Sequence, residues 1–137
     1  MSEQAVSRTI TQTVETEAAP NSILTILEDP KRIPEWAPVF AEKVERDRAN
    51  TYRVTKGETV FSVEAVIERA SRTVDYLRCT GAGEKVGAHI RVLPRPGGGP
   101  VVVMTLPVPP GGNAEQVSAV LGQELQSLTR LAVRKQA

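Results

Sequence analysis

The residues from Thr9 to Pro38, TITQTVETEAAPNSILTILEDPKRIPEWAP, constrain the fold more than any other stretch. Residues 9–16 alternate. Ile10, Gln12, Val14 and Thr16 share one face, and Thr9, Thr11, Thr13 and Glu15 share the other, the period of a half-buried strand. Ala19-Pro20 ends it, because proline suits the first turn of a helix and removes a donor from a sheet. Ile23, Leu24, Ile26 and Leu27 then predict a short apolar helix to about Glu28. Asp29-Pro30 starts a second short helical turn, which Pro34 and Pro38 are expected to end.

From Val39 to Pro109 the texture changes to strands. The segments Val44–Asp47, Tyr52–Lys56, Thr59–Glu68, Thr73–Thr80, Lys85–Leu93 and Val101–Val108 are separated by turn residues. Short connections of this kind imply an antiparallel meander. RPGGGP (Arg95–Pro100) reads as a hairpin tip, and PVPPGG (Pro107–Gly112) as a stiff exit into a last helix. That helix opens with Asn113 and Gln116 at capping-box spacing and runs to about Arg134. Val117, Val120, Leu121, Leu125, Leu128, Leu131 and Ala132 fall on one stripe at roughly 100° per residue. The stripe must be buried against the inner face of the sheet.

With 137 residues, the chain is expected to form one domain, residues 1–137, able to bury a core without disulfide or metal. A net charge of +1 gives no electrostatic case for nucleic acid or an anionic membrane surface. The single Cys79 excludes an internal disulfide framework and a cysteine-based metal site. MSEQAVSRTITQ has no apolar leader core, and no apolar run approaches the ~20 residues of a membrane span. The expectation is a cytoplasmic protein with no integral membrane association, as monomer or homodimer. Aromatic residues make up only 4%, so an aliphatic core and cavity lining are expected.

The order strand, two short helices, six-strand meander, long C-terminal helix resembles the helix-grip fold. The family is the START-like or Bet v 1-like (SRPBCC) superfamily, in its polyketide cyclase/dehydrase and lipid-transport branch. Ala19-Pro20 and Asp29-Pro30-Lys-Arg-Ile-Pro-Glu-Trp36-Ala-Pro38 carry the resemblance, which spans nearly the whole chain. It implies an α+β fold: a curved antiparallel sheet of six to seven strands wrapped around the long helix, with a hydrophobic ligand held between them. A minority of such proteins catalyse cyclisation, dehydration or hydrolysis. The resemblance supplies no catalytic set and implies no cofactor.

Among individual residues, Glu124 stands out. It lies seven residues after Val117 and four before Leu128, near the middle of the apolar stripe. A carboxylate there must find a partner, take up a proton or sit in a wet cavity. It is therefore the candidate polar anchor or general acid/base; the alternative is a helix-edge Glu paired with an Arg. Gln12 is either a ligand contact or a satisfied core amide. Trp36 either lines the mouth of a pocket or packs the first helix down. Tyr52 shares a face with Val54, and Tyr76 is ambiguous. The candidate ligand-contacting set is Gln12, Val14, Trp36, Tyr52, Val54, Phe61, Val63, Val117, Leu121, Glu124 and Leu128, with Ile10 and Ala65 as further aliphatic wall. His89, the only histidine, alternates onto the solvated face with Gly87 and Arg91, and no residue spacing suggests a metal. Cys79 reads as a half-buried thiol. The glycine stretches Gly81–Gly83 and Gly97–Gly99 join strands, so they are not phosphate loops.

Three functions fit. The first is binding of a hydrophobic or amphipathic small molecule such as a lipid, isoprenoid or polyketide. The second is a cyclase/dehydratase-type enzyme using Glu124. The third is a protein-interaction domain with a filled core and no cavity.

Overall fold

The computed structural model describes residues 8–80, 82–108 and 111–136. Residues 1–7, Gly81, Pro109, Pro110 and Ala137 lie outside them, and with them part of the Gly81–Gly83 turn and of the Pro107–Gly112 exit.

Seven strands, β1 (Arg8–Glu15), β2 (Lys43–Arg48), β3 (Thr51–Lys56), β4 (Thr59–Glu68), β5 (Thr73–Cys79), β6 (Lys85–Leu93) and β7 (Val101–Val108), make one antiparallel sheet. The spatial order is β1-β7-β6-β5-β4-β3-β2. Strands β2 to β7 are neighbours in sequence and in space, as short hairpins require. Only β1 crosses over, so it takes an outer position beside β7. The register sets Gln12 opposite Met104, Met104 opposite Ile90, and Ile90 opposite Val74, one inward row across four strands. Gly57, at φ +60°, makes the two-residue β3–β4 turn that a side chain would strain. Gly87 marks a close approach: a β-carbon built there would lie 1.9 Å from the Tyr76 carbonyl oxygen. Only glycine lets β6 press this tightly onto β5.

The first strand ends at Glu15, one residue early. Thr16 turns the chain instead. Its N–H donates to Pro100 O at 3.1 Å, and its hydroxyl accepts from Ala18 N at 3.1 Å. Arg95 holds the β6–β7 loop against this bend through Gly99 O at 2.9 Å and the Glu17 carboxylate at 2.8 Å.

Helix α1 (Pro20–Leu27) follows, with Ile23, Leu24, Ile26 and Leu27 all buried. A 3-10 turn at Pro30–Arg32 leads directly into α2 (Ile33–Trp36). Here the expectation for Pro34 is corrected. It does not end the helical segment but sits in the first turn of α2, where its missing N–H has no partner to lose. Arg69, in the β4–β5 turn, donates to both carboxylate oxygens of Glu28 at 2.8 and 2.9 Å and so ties the end of α1 to the sheet.

Helix α3 (Ala114–Gln136) starts where the capping residues predict: Gln116 N–H donates to Asn113 Oδ1 at 3.0 Å. It packs on β1 and β7 and against α1 and α2. Leu121, Leu125, Leu128 and Ala132 form its buried stripe. Each fully buried leucine contributes about 2 kcal/mol by removal from water. On the opposite face of the sheet, His89 Nδ1 lies 3.2 Å from Asp75, which also holds Arg91 at 2.8 Å. Cys79 is exposed rather than half-buried, because β5 ends at that residue.

Candidate functional site

The core is not filled everywhere. Between α2, strands β5 to β7 and the first half of α3 it leaves a cavity of about 770 Å³. The local cause is on β6. Ala88, opposite Tyr76 in the register, supplies little side-chain volume. Helix α3 faces this gap with Val117, Val120, Leu121 and Glu124 at three- and four-residue steps. A second hollow, around Thr129, Arg130, Val133 and Arg134, is lined by α3 alone and is a feature of the outer surface.

Buried Trp36, Tyr76, Met104 and Leu121 form the floor. Exposed Val39, Arg78, Glu84, Val86 and Gln116 ring the other end, which is the mouth. The eight residue steps from Gln116 to Glu124 span about 12 Å of helix, which sets the depth at which the carboxyl sits.

Three of the chain's five aromatic residues, Trp36, Phe40 and Tyr76, line the cavity. The scarce aromatics are thus concentrated at one place, which an overall 4% does not reveal. The Trp36 and Tyr76 ring centroids are 6.5 Å apart. Phe40 meets Phe61 edge to face at 5.6 Å, and the Arg78 guanidinium lies 4.0 Å above the Phe61 ring. The Trp36 indole nitrogen is buried and has no hydrogen-bond partner among the described residues.

Of the sequence-derived set, Trp36, Val117, Leu121 and Glu124 come together on the cavity wall. Ile10, Val14, Tyr52, Val54, Phe61, Val63, Ala65 and Leu128 do not line it; they pack into or against the filled core. Gln12 is occupied by α3. Its Nε2 donates to Ser118 Oγ at 2.6 Å and to Ser118 O at 3.3 Å, which fastens β1 to the helix. Tyr52 accepts from Arg46 at 3.2 Å. Tyr76 faces inward, but its hydroxyl donates to the Leu27 carbonyl. Arg78, Met104, Ala88 and Leu106 join the wall without having been singled out. The Val74, Tyr76, Arg78, Thr80 alternation was the signal for Arg78.

Glu124 is the perturbed carboxyl of the cavity. Burial alone pushes its carboxyl up from 4.5 to about 7, with no cation among the described residues offsetting it. At neutral pH both protonation states are therefore populated. The neutral form can donate to a carbonyl or hydroxyl, and the charged form can accept a proton. Burial also pushes the Tyr76 phenol up, so it stays protonated. Among the described residues no group of three His, Cys, Asp or Glu side chains is placed to hold a metal ion. Nor is any described helix long and apolar enough to cross a membrane.

No family model matches the chain, and no curated protein sequence is significantly similar to it. Solved structures resemble it over nearly its whole length. A START superfamily protein from Mycobacterium smegmatis is 17% identical, with 90% of this chain matching 92% of that one at a TM-score of 0.63. Norcoclaurine synthase from Thalictrum flavum is 17% identical over 93% of this chain and 87% of its own, at 0.67. An aromatase/cyclase from a Streptomyces species is 14% identical over 95% and 93%, at 0.62. This chain has the helix-grip fold of the START-like and Bet v 1-like proteins. At these identities the likeness is one of fold, and the chemistry of this helix-grip protein must be argued from its own cavity.

Proposed function

We propose that residues 1–137 act as one binding domain for a hydrophobic or amphipathic small molecule, of lipid, isoprenoid or polyketide type. The observation that carries this reading is the apolar cavity itself, open at one end and holding, among the described residues, a single interior carboxyl, Glu124. Its volume is in the range of small-molecule sites, and one convergent polar group in an apolar wall is how such sites fix orientation. The cavity also speaks against an interaction domain with a filled core. Native mass spectrometry of freshly purified protein tests the reading. A bound small molecule that leaves on denaturation is expected. A mass equal to the bare chain, together with no uptake of added amphiphiles, would overturn it.

One observation favours an enzyme as the second reading. A carboxyl near 7 is matched to general acid/base work at neutral pH, the role a cyclase or dehydratase would ask of Glu124. The recovered ligand separates the two. Returned unchanged after incubation with the protein, it supports binding. If wild type converts it and Glu124→Gln does not, the enzyme reading holds.

A further inference from the structure

Resting on the binding reading above, we infer that the ligand carries an anionic head group, held at the cavity mouth by Arg78, and enters tail-first.

Arg78 stands two residues beyond the buried, inward-facing Tyr76 on β5, so strand alternation turns it to the cavity side. Four other arginines are spoken for. Arg32, Arg69, Arg91 and Arg95 each hold a carboxylate at 2.8 or 2.9 Å, from Glu35, Glu28, Asp75 and Glu17. Arg78 has no such partner among the described residues. What it has is the Phe61 ring, 4.0 Å below its guanidinium carbon. That contact holds the plane of the fork without using an N–H, so the donors stay available to a ligand. The fork matches a carboxylate or a phosphate monoester in bidentate fashion.

The direction of insertion follows from the other charges on the wall. Glu124 lies about 12 Å further along the helix from the mouth, and an anion brought there would be repelled. At the mouth, Glu84 is the one opposing charge among the described residues, and it forms no ion pair with Arg78. The apolar floor between these positions suits the tail. Once a tail fills it, water leaves the mouth, and the pairing of Arg78 with the head group gains strength from the lower local dielectric.

The test compares four probes below their micellar concentrations at pH 8, by titration calorimetry on the full chain: dodecanoate, dodecyl phosphate, dodecanol and dodecylammonium. At least one of the two anions is expected to bind about tenfold tighter than the alcohol, with the ammonium weakest. The tighter of the two anions identifies the head group. Arg78→Gln should remove that advantage while leaving dodecanol within about twofold, and Arg78→Lys should keep part of it. Glu84→Gln should tighten the anions. Circular dichroism confirms that each variant is folded. Dodecanol binding as tightly as both anions, or the ammonium binding tightest, would overturn the head-group assignment while cavity binding stands. Equal losses for anion and alcohol in Arg78→Gln would do the same. Failure of all four probes would overturn the binding reading as well.

Discussion

The hydroxyl of Tyr76, on β5, donates a hydrogen bond to the carbonyl of Leu27, the last residue of α1. Both residues are buried. The last carbonyls of a helix lack partners within it, so this bond satisfies a group that would otherwise be stranded in the core. Tyr76 thereby ties the end of α1 to β5 and is not free to serve a ligand. Tyr76→Phe should cost about 1–3 kcal/mol by leaving that carbonyl unpaired. Urea unfolding measures it, and an unchanged midpoint would show that the carbonyl finds another donor.

Glu124 makes stability depend on pH in a defined direction. Its carboxyl is raised from 4.5 to about 7 in the folded protein, so between these values the native state holds a proton that the unfolded chain has released. The contribution is fully present below about pH 4.5, declines as pH rises towards 7, and is gone above it. The difference amounts to at most about 3 kcal/mol. Glu124→Gln should match wild type near pH 5, exceed it at pH 8, and flatten the slope between them. Thermal melts across that range check the sign. A slope of the opposite sign in wild type would show Glu124 held as the anion.

Trp36 should tell shape from hydrogen bonding. Its buried indole N–H has no acceptor among the described residues, so Trp36→Phe forfeits no hydrogen bond and relieves an unsatisfied donor. The expected cost is below about 1.5 kcal/mol, whereas Trp36→Ala should cost about 3–5 kcal/mol. Equal losses in calorimetric unfolding would mean that the N–H does have a partner.

At Gly87 one added methyl group should be felt. The β-carbon of Gly87→Ala would meet a backbone oxygen of β5, which cannot swing aside as a side chain can. The β5–β6 pairing must shift, at about 1–3 kcal/mol. Hydrogen exchange should show faster exchange at the amides flanking Tyr76 and Gly87. Full protection there would mean that the sheet absorbs the change elsewhere.

The elements of this fold were legible because each carries its own period. The Thr9–Thr16 alternation, the turn residues of the meander and the α3 stripe follow from local geometry, and the Asn113–Gln116 cap from a fixed spacing. Glu124 was legible for the same reason, since helical phasing puts it on the stripe. Periodicity tells which face a residue shares, but not which part of that face meets filled core. Val54, Val63 and Leu128 therefore carried the same signal as Leu121 and lie elsewhere. The side of Gln12 could be read, while its partner Ser118, 106 residues away, could not. Arg78 was hidden because a charged residue breaks the apolar alternation of β5, although its position in the strand is what turns it inward. The cavity depends on a side chain as small as that of Ala88 opposite Tyr76, and missing volume leaves no pattern in a sequence.

The placement of Trp36 has a practical side. It is the chain's only tryptophan, and its ring forms part of the cavity floor. The protein therefore carries a built-in optical reporter. Its ultraviolet emission arises from one site, with no second indole elsewhere to dilute the signal. Displacing water from that floor should shift the emission to the blue, and a bromine-bearing guest should quench it. Occupancy can thus be followed in unmodified protein, without a label at the mouth to disturb Arg78.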